Sequence, residues 1–192
     1  MILALTQAPS PVWYFARAAG FVSLLLLAAV VALGLALTLR WRTPNWPTFL
    51  SEGLHRYLTT VLYVFLAIHI VTIWLDPFTK FNLADVLVPF VSNYRSLWMG
   101  LGILAFDLAL ALGLSIYIRN RIGYRAWRVA HYATNVIFPL ALIHGIGTGS
   151  DTHTWWALVI YGVAAVPVGA LAAARMVGGQ AALAPVREQP AS

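Results

Sequence analysis

The 192-residue chain has no cysteine. That excludes disulfides, iron–sulfur clusters, thiolate zinc sites and covalent c-type haem attachment together. It also has little charge. Only 9% of its residues are Asp, Glu, Lys or Arg, against about 25% in a soluble domain. In their place stand 61% hydrophobic residues and a mean hydropathy of +0.80. The composition is that of an all-α integral membrane protein, long enough for one compact bundle and too short for a second, soluble domain. The net charge of +6 fits basic loops on one membrane face, and no nucleic-acid partner is expected.

A membrane-spanning helix needs about 20 apolar residues. Five segments qualify, at about Trp13–Leu39, Gly53–Leu75, Leu97–Ile118, Val129–Gly147 and Trp155–Ala174. The first lacks a basic start and is too long for a signal-peptide core, so it reads as a retained helix. The domain reading is a short external N-terminus (1–12), a transmembrane domain (13–175) and a disordered cytoplasmic tail (176–192), the tail being marked by Gly178-Gly179, Pro185 and Pro190. Trp13, Trp46, Trp98, Trp127, Trp155 and Trp156 fall near segment ends, as an interfacial aromatic belt requires.

Arg40, Arg42, Arg56, Arg119, Arg121, Arg125, Arg128, Arg175 and Arg187 gather on one side; Arg17, Lys80 and Arg95 lie on the other. The positive-inside rule makes the first side cytoplasmic, with the N-terminus outside and the C-terminus inside a multi-pass plasma-membrane protein. The second and fourth segments then run in the same direction.

Those two segments carry four of the five histidines. His55 and His69 lie 14 apart; His131 and His144 lie 13 apart. At ~1.5 Å per residue each pair spans ~20 Å, one member towards each face. Taken singly, each reads first as a hydrogen-bonded core histidine or as one lining a polar path. As a quartet they form two bis-histidine sites at different depths, His55 with His131 and His69 with His144. A bare metal centre would cluster three or more ligands. Haem takes one axial ligand from each side, and six-coordinate iron leaves electron transfer as its chemistry. On an ideal helix 14 steps return to within ~40° of the start, whereas 13 steps miss by ~140°. Pro139, between His131 and His144, offers a kink.

The quartet, with Leu101-Gly102, Ser115, the basic turn Arg119–Gly123, Trp127-Arg128 and His144-Gly145, resembles the ferric reductase-like transmembrane domain. NADPH oxidases, ferric-chelate reductases and the haem-binding subunit of periplasmic methionine sulfoxide reductase share that domain. The resemblance covers about residues 13–175 and implies two b-type haems, their iron held by His55, His69, His131 and His144. Full reductases of the family have six helices and a C-terminal flavin and nicotinamide module. Five helices are counted here, with six the alternative, and no flavin or NAD(P)H site is expected. Gly145, Gly147 and Gly149 follow no strand, and Asp76-Pro77-Phe78-Thr79 lies in an external loop, so neither is read as a nucleotide motif. The implied role is a haem-only membrane oxidoreductase subunit. A flavoprotein or quinol would be its electron donor, and ferric iron, oxygen or a partner reductase its external acceptor. A quinol-linked cytochrome b and a non-redox metal or proton transporter are the alternatives.

Arg56 and Arg128 adjoin the inner histidines and match haem propionates as bidentate donors, although positive-inside topology alone also places them there. Arg17 and Arg95 are the corresponding outer candidates. Asp107, in mid-helix, reads as a proton relay or as a hydrogen bond to a neighbouring helix, and His153 as a residue of a solvated turn.

Overall fold

The computed structural model describes residues 10–39, 47–77 and 80–183. Among these the chain is helical without strands. The elements are α1 (Pro11–Thr38), α2 (Thr48–Leu75), α3 (Leu83–Leu87), α4 (Ser96–Ile122), α5 (Tyr124–His131), α6 (Thr134–Thr148) and α7 (Trp155–Leu183). Five spans are long and apolar enough to cross a membrane: Pro11–Thr38, Phe49–Leu75, Ser96–Ile122, Tyr124–Thr148 and Trp155–Val177. The fold is thus the expected membrane helical bundle, and the count of five holds among the described residues.

Local chemistry sets the helix ends. Ser10 caps α1, its hydroxyl oxygen accepting from the Trp13 N–H at 2.9 Å, with Pro11 opening the helix. The same hydroxyl donates to Asp76 at 2.5 Å, tying the start of α1 to the end of α2. Gly123 stops α4 at φ +84°, a backbone region that costs glycine nothing, and the chain turns there into α5. Arg175 on α7 donates to the Thr38 hydroxyl at 2.8 Å, closing the opposite end of α1. The bundle therefore has an Asp76 end and a Gly123 end.

α1 is the hub. It packs most extensively on α2 and also touches α7 and α6, while α4 packs on α6 and α5. Leu24, Ala28, Val31 and Leu35 of α1 interlock with Phe138 of α6 and with Ala157, Tyr161, Ala164 and Val168 of α7. Much of α2, α4 and α7 presents large apolar side chains outwards, among them Val64, Val71, Leu114, Ile116, Val159 and Val163. In lipid that surface needs no partner.

Two sequence expectations are corrected. The fourth span is not one helix over Val129–Gly147: it starts at Tyr124 and is interrupted at Tyr132–Ala133. Pro139, read as offering a kink, lies within α6, six residues beyond the interruption at Tyr132–Ala133. The last helix runs on to Leu183, into the segment 176–192 where a disordered tail was expected. Residues 1–9, 40–46, 78–79 and 184–192, with Trp46, Arg40, Arg42 and Arg187, lie outside the described residues.

Candidate functional site

The four histidines fall into two pairs, each with one member on α2 and one on the fourth span. Towards the Gly123 end, the His55 and His131 rings stand 6.3 Å apart between centres, at 67° to one another. Towards the Asp76 end, His69 and His144 line one cavity with Gly20, Leu66, Gly102 and Phe106. The cavity measures ≈ 190 Å³ by water centres, against ~10–15 Å³ for a single water. It therefore has room for a group of many atoms. Apart from the histidines, Arg17, Tyr63 and Tyr161, its walls are largely apolar.

The break in the fourth span accounts for the 13-residue spacing. Around it the N–H groups of Tyr132, Ala133, Asn135 and Val136 bond three residues back, at 2.9–3.1 Å. Each such residue turns the chain by ~120° instead of ~100°, so four of them cut the ~140° mismatch to ~60°. The sequence favours this locally. The Thr134 hydroxyl donates to the His131 carbonyl at 2.8 Å, and the Asn135 amide to the Tyr132 carbonyl at 2.9 Å, both competing with the helical ladder. Pro139, lacking an N–H, frees the Asn135 carbonyl as well.

The pairs are seated differently. His69 Nδ1 lies 2.8 Å from the Ala16 carbonyl, and His144 Nδ1 2.9 Å from the Trp98 carbonyl. A ring whose Nδ1–H donates to a carbonyl keeps Nε2 free as a ligand. At the other site Nδ1 of both His55 and His131 is buried without a hydrogen-bond partner. The Val30 carbonyl faces His55 but is not reached in good geometry. His131 instead stacks on Trp127, at 5.1 Å and 25°.

The spacing of the His55 and His131 rings is that of two imidazoles able to share one metal. With metal–nitrogen bonds of ~2 Å and each ring centre ~1 Å further back, two imidazoles on one metal stand ~6 Å apart, close to the 6.3 Å seen for His55 and His131. No group of three or more His, Asp or Glu suited to a bare metal ion occurs among the described residues.

The arginines fall unevenly. Arg17 lines the cavity of His69 and His144, where it pairs with Asp151 and lies 4.3 Å over Trp13. Arg95 is exposed and turned to the rim, donating to the Gly147 carbonyl at 2.5 Å; it is not among the residues that line the cavity. Arg56 and Arg128 are exposed at the Gly123 end. Arg128 and Arg175 both face the Tyr132 hydroxyl, and Arg175 lies 4.8 Å over its ring. Sequence reasoning missed Arg175 in this role, because only the break brings Tyr132 to it. Asp107 is half-buried in α4 and His153 is exposed in the α6–α7 turn. Gly145 and Gly149 pack against Tyr161, and Gly147 against Trp98, which are packing roles.

Tyr63 and Asp151 were also missed. The Tyr63 hydroxyl donates to the Ala109 carbonyl at 2.5 Å, joining α2 to α4 between the two pairs. Its only signal was a tyrosine amid apolar residues.

No curated protein and no solved structure matches the chain significantly. The family model described as ferric reductase like transmembrane component matches residues 19–142. That is well over half of the chain, and it spans His55, His69 and His131. With five apolar spans and this match, the chain belongs to the ferric reductase-like transmembrane component family.

Proposed function

We propose that the protein carries electrons across a membrane by way of two bis-histidine b-type haem sites, His55 with His131 and His69 with His144. The observation that carries this is the convergence of α2 and the fourth span on two imidazole pairs at two depths. Haem, when bound there, supplies reversible one-electron chemistry at an iron with no open coordination position.

The chain's own residues do the rest. His55 with His131, and His69 with His144, would hold the two haem irons through their imidazole nitrogens. The Ala16 and Trp98 carbonyls hold the His69 and His144 tautomers. Leu66, Ile70, Ile103, Phe106 and Ile137 keep water from the cavity. Arg17 at one end, and Arg56, Arg128 and Arg175 at the other, supply cations for propionate carboxylates. The excess of basic residues at the Gly123 end favours a cytoplasmic setting for it and an external N-terminus, with the plasma membrane as the proposed location. The donor is a separate flavoprotein or membrane quinol. The acceptor is external: ferric iron, oxygen or a partner reductase. The chain's role is then that of an oxidoreductase's haem subunit.

Sealed vesicles test this. With the haem-loaded protein in the bilayer, ferricyanide inside and dithionite outside, ferricyanide is expected to bleach at least tenfold faster than in empty vesicles. Equal rates with and without protein contradict transmembrane electron transfer.

A further inference from the structure

Two spacings recur on helices that carry none of the four histidines. On α1, Gly20 lies against His69 and Gly34 against His55. The glycines are 14 apart, as are the histidines, and the two helices run antiparallel. On α4, Gly102 lies against His144. Thirteen residues further on is Ser115, opposite His131, which lies 13 before His144. Ser115 reaches His131 through Trp127: its hydroxyl accepts from the Trp127 Nε1–H at 3.0 Å, and Trp127 stacks on His131.

Each glycine follows by four residues the carbonyl that faces its histidine. Ala16 precedes Gly20, Val30 precedes Gly34 and Trp98 precedes Gly102. In a helix that carbonyl already accepts the glycine's own N–H, and its second lone pair stays open. A side chain on the glycine would screen it. A Cβ at Gly20 would stand 2.9 Å from His69 Cε1, one at Gly34 3.3 Å from His55 Cε1, and one at Gly102 would fall on the His144 ring. At the fourth position a side chain is present. The Ser115 hydroxyl donates back to the Leu112 carbonyl at 2.5 Å, and His131 Nδ1 has no carbonyl partner.

We infer that α1 and α4 position the four ligands: Gly20, Gly34 and Gly102 each seat one imidazole, and Ser115 with Trp127 seats His131. This rests on the reading of the histidines as haem ligands. A stripe of small residues that only packed helices together would not reproduce both the 14 and the 13 spacing. Nor would it turn the carbonyl four residues before each glycine towards a histidine.

The readout is site-resolved. In haem-loaded protein, Gly34→Val is expected to empty only the His55–His131 site, and Gly102→Val only the His69–His144 site. Each lowers haem from two to about one per chain, with the remaining low-spin EPR signal unchanged. The surviving site is identified against His55→Ala and His69→Ala. Ser115→Ala is expected to shift the EPR g-values and midpoint potential of the His55–His131 haem alone, and Trp127→Phe, which keeps a stacking ring but not the N–H that Ser115 accepts, is expected to shift them in the same way. Parallel loss at both sites, or two unaltered haems in every variant, overturns the inference and leaves the haem reading standing. Absence of haem from the unmutated protein overturns that reading instead.

Discussion

Replacing His69 with alanine is expected to lower the haem content from the proposed two per chain to about one, with the remaining haem keeping the spectrum and potential of the His55–His131 site. His69 is half-buried, held by the Ala16 carbonyl and seated on Gly20. Alanine removes the ligand and leaves the helix intact, because it is the best helix former. His144 alone then offers one ligand where six-coordinate iron needs two. The other pair, ~20 Å away along the helix, shares no ligand with the lost site. His55→Ala is expected to do the reverse. Pyridine haemochrome assay against protein concentration reads the stoichiometry. Two haems retained in His69→Ala would separate His69 from ligation.

Phe138→Ala has the largest expected effect on stability, about 2–3 kcal/mol. Phe138 is 5% exposed, packed in the cluster formed by α1, α6 and α7. Truncation removes ~100 Å³, which at ~24 cal/mol per Å³ of cavity costs about 2.4 kcal/mol. The water-transfer part of a soluble-protein truncation is absent, because the alternative environment is lipid and as apolar as the core. Val136, two residues earlier and 53% exposed towards lipid, should tolerate alanine with under ~0.5 kcal/mol lost. Unfolding in detergent, followed by circular dichroism, compares the two. Equal losses would contradict the core as described.

The spans were legible in the sequence because hydropathy over about 20 residues is a strong signal. The histidine pairs were legible because ionisable residues at membrane depth are few. The interruption at Tyr132–Ala133 was not. It arises from the Thr134 and Asn135 side chains bonding back to the chain, which a hydropathy profile does not register. Pro139 drew the reading instead, yet a proline needs only one helical hydrogen bond to be given up. The glycine seats carry a visible spacing, but it gains meaning only once α1 is known to lie antiparallel against α2. Arg17 was read as a cation for the outer haem. Its pairing with Asp151 joins residues 134 apart in sequence and depends on the α6–α7 turn folding back over the cavity that Arg17 lines. Arg95 shows the limit of charge counting: the count placed it at the correct end of the bundle, but its side chain turns to the Gly147 carbonyl.

The central claim is that one chain holds two bis-histidine haems, and haem stoichiometry combined with low-temperature EPR of the unmutated protein tests it most directly. Expected are two b-type haems per chain, both low-spin, with two resolvable ferric signals because both imidazoles of one pair are hydrogen-bonded to carbonyls and neither imidazole of the other is. No haem, a single haem, or a high-spin signal from an open coordination position in the intact protein would contradict it.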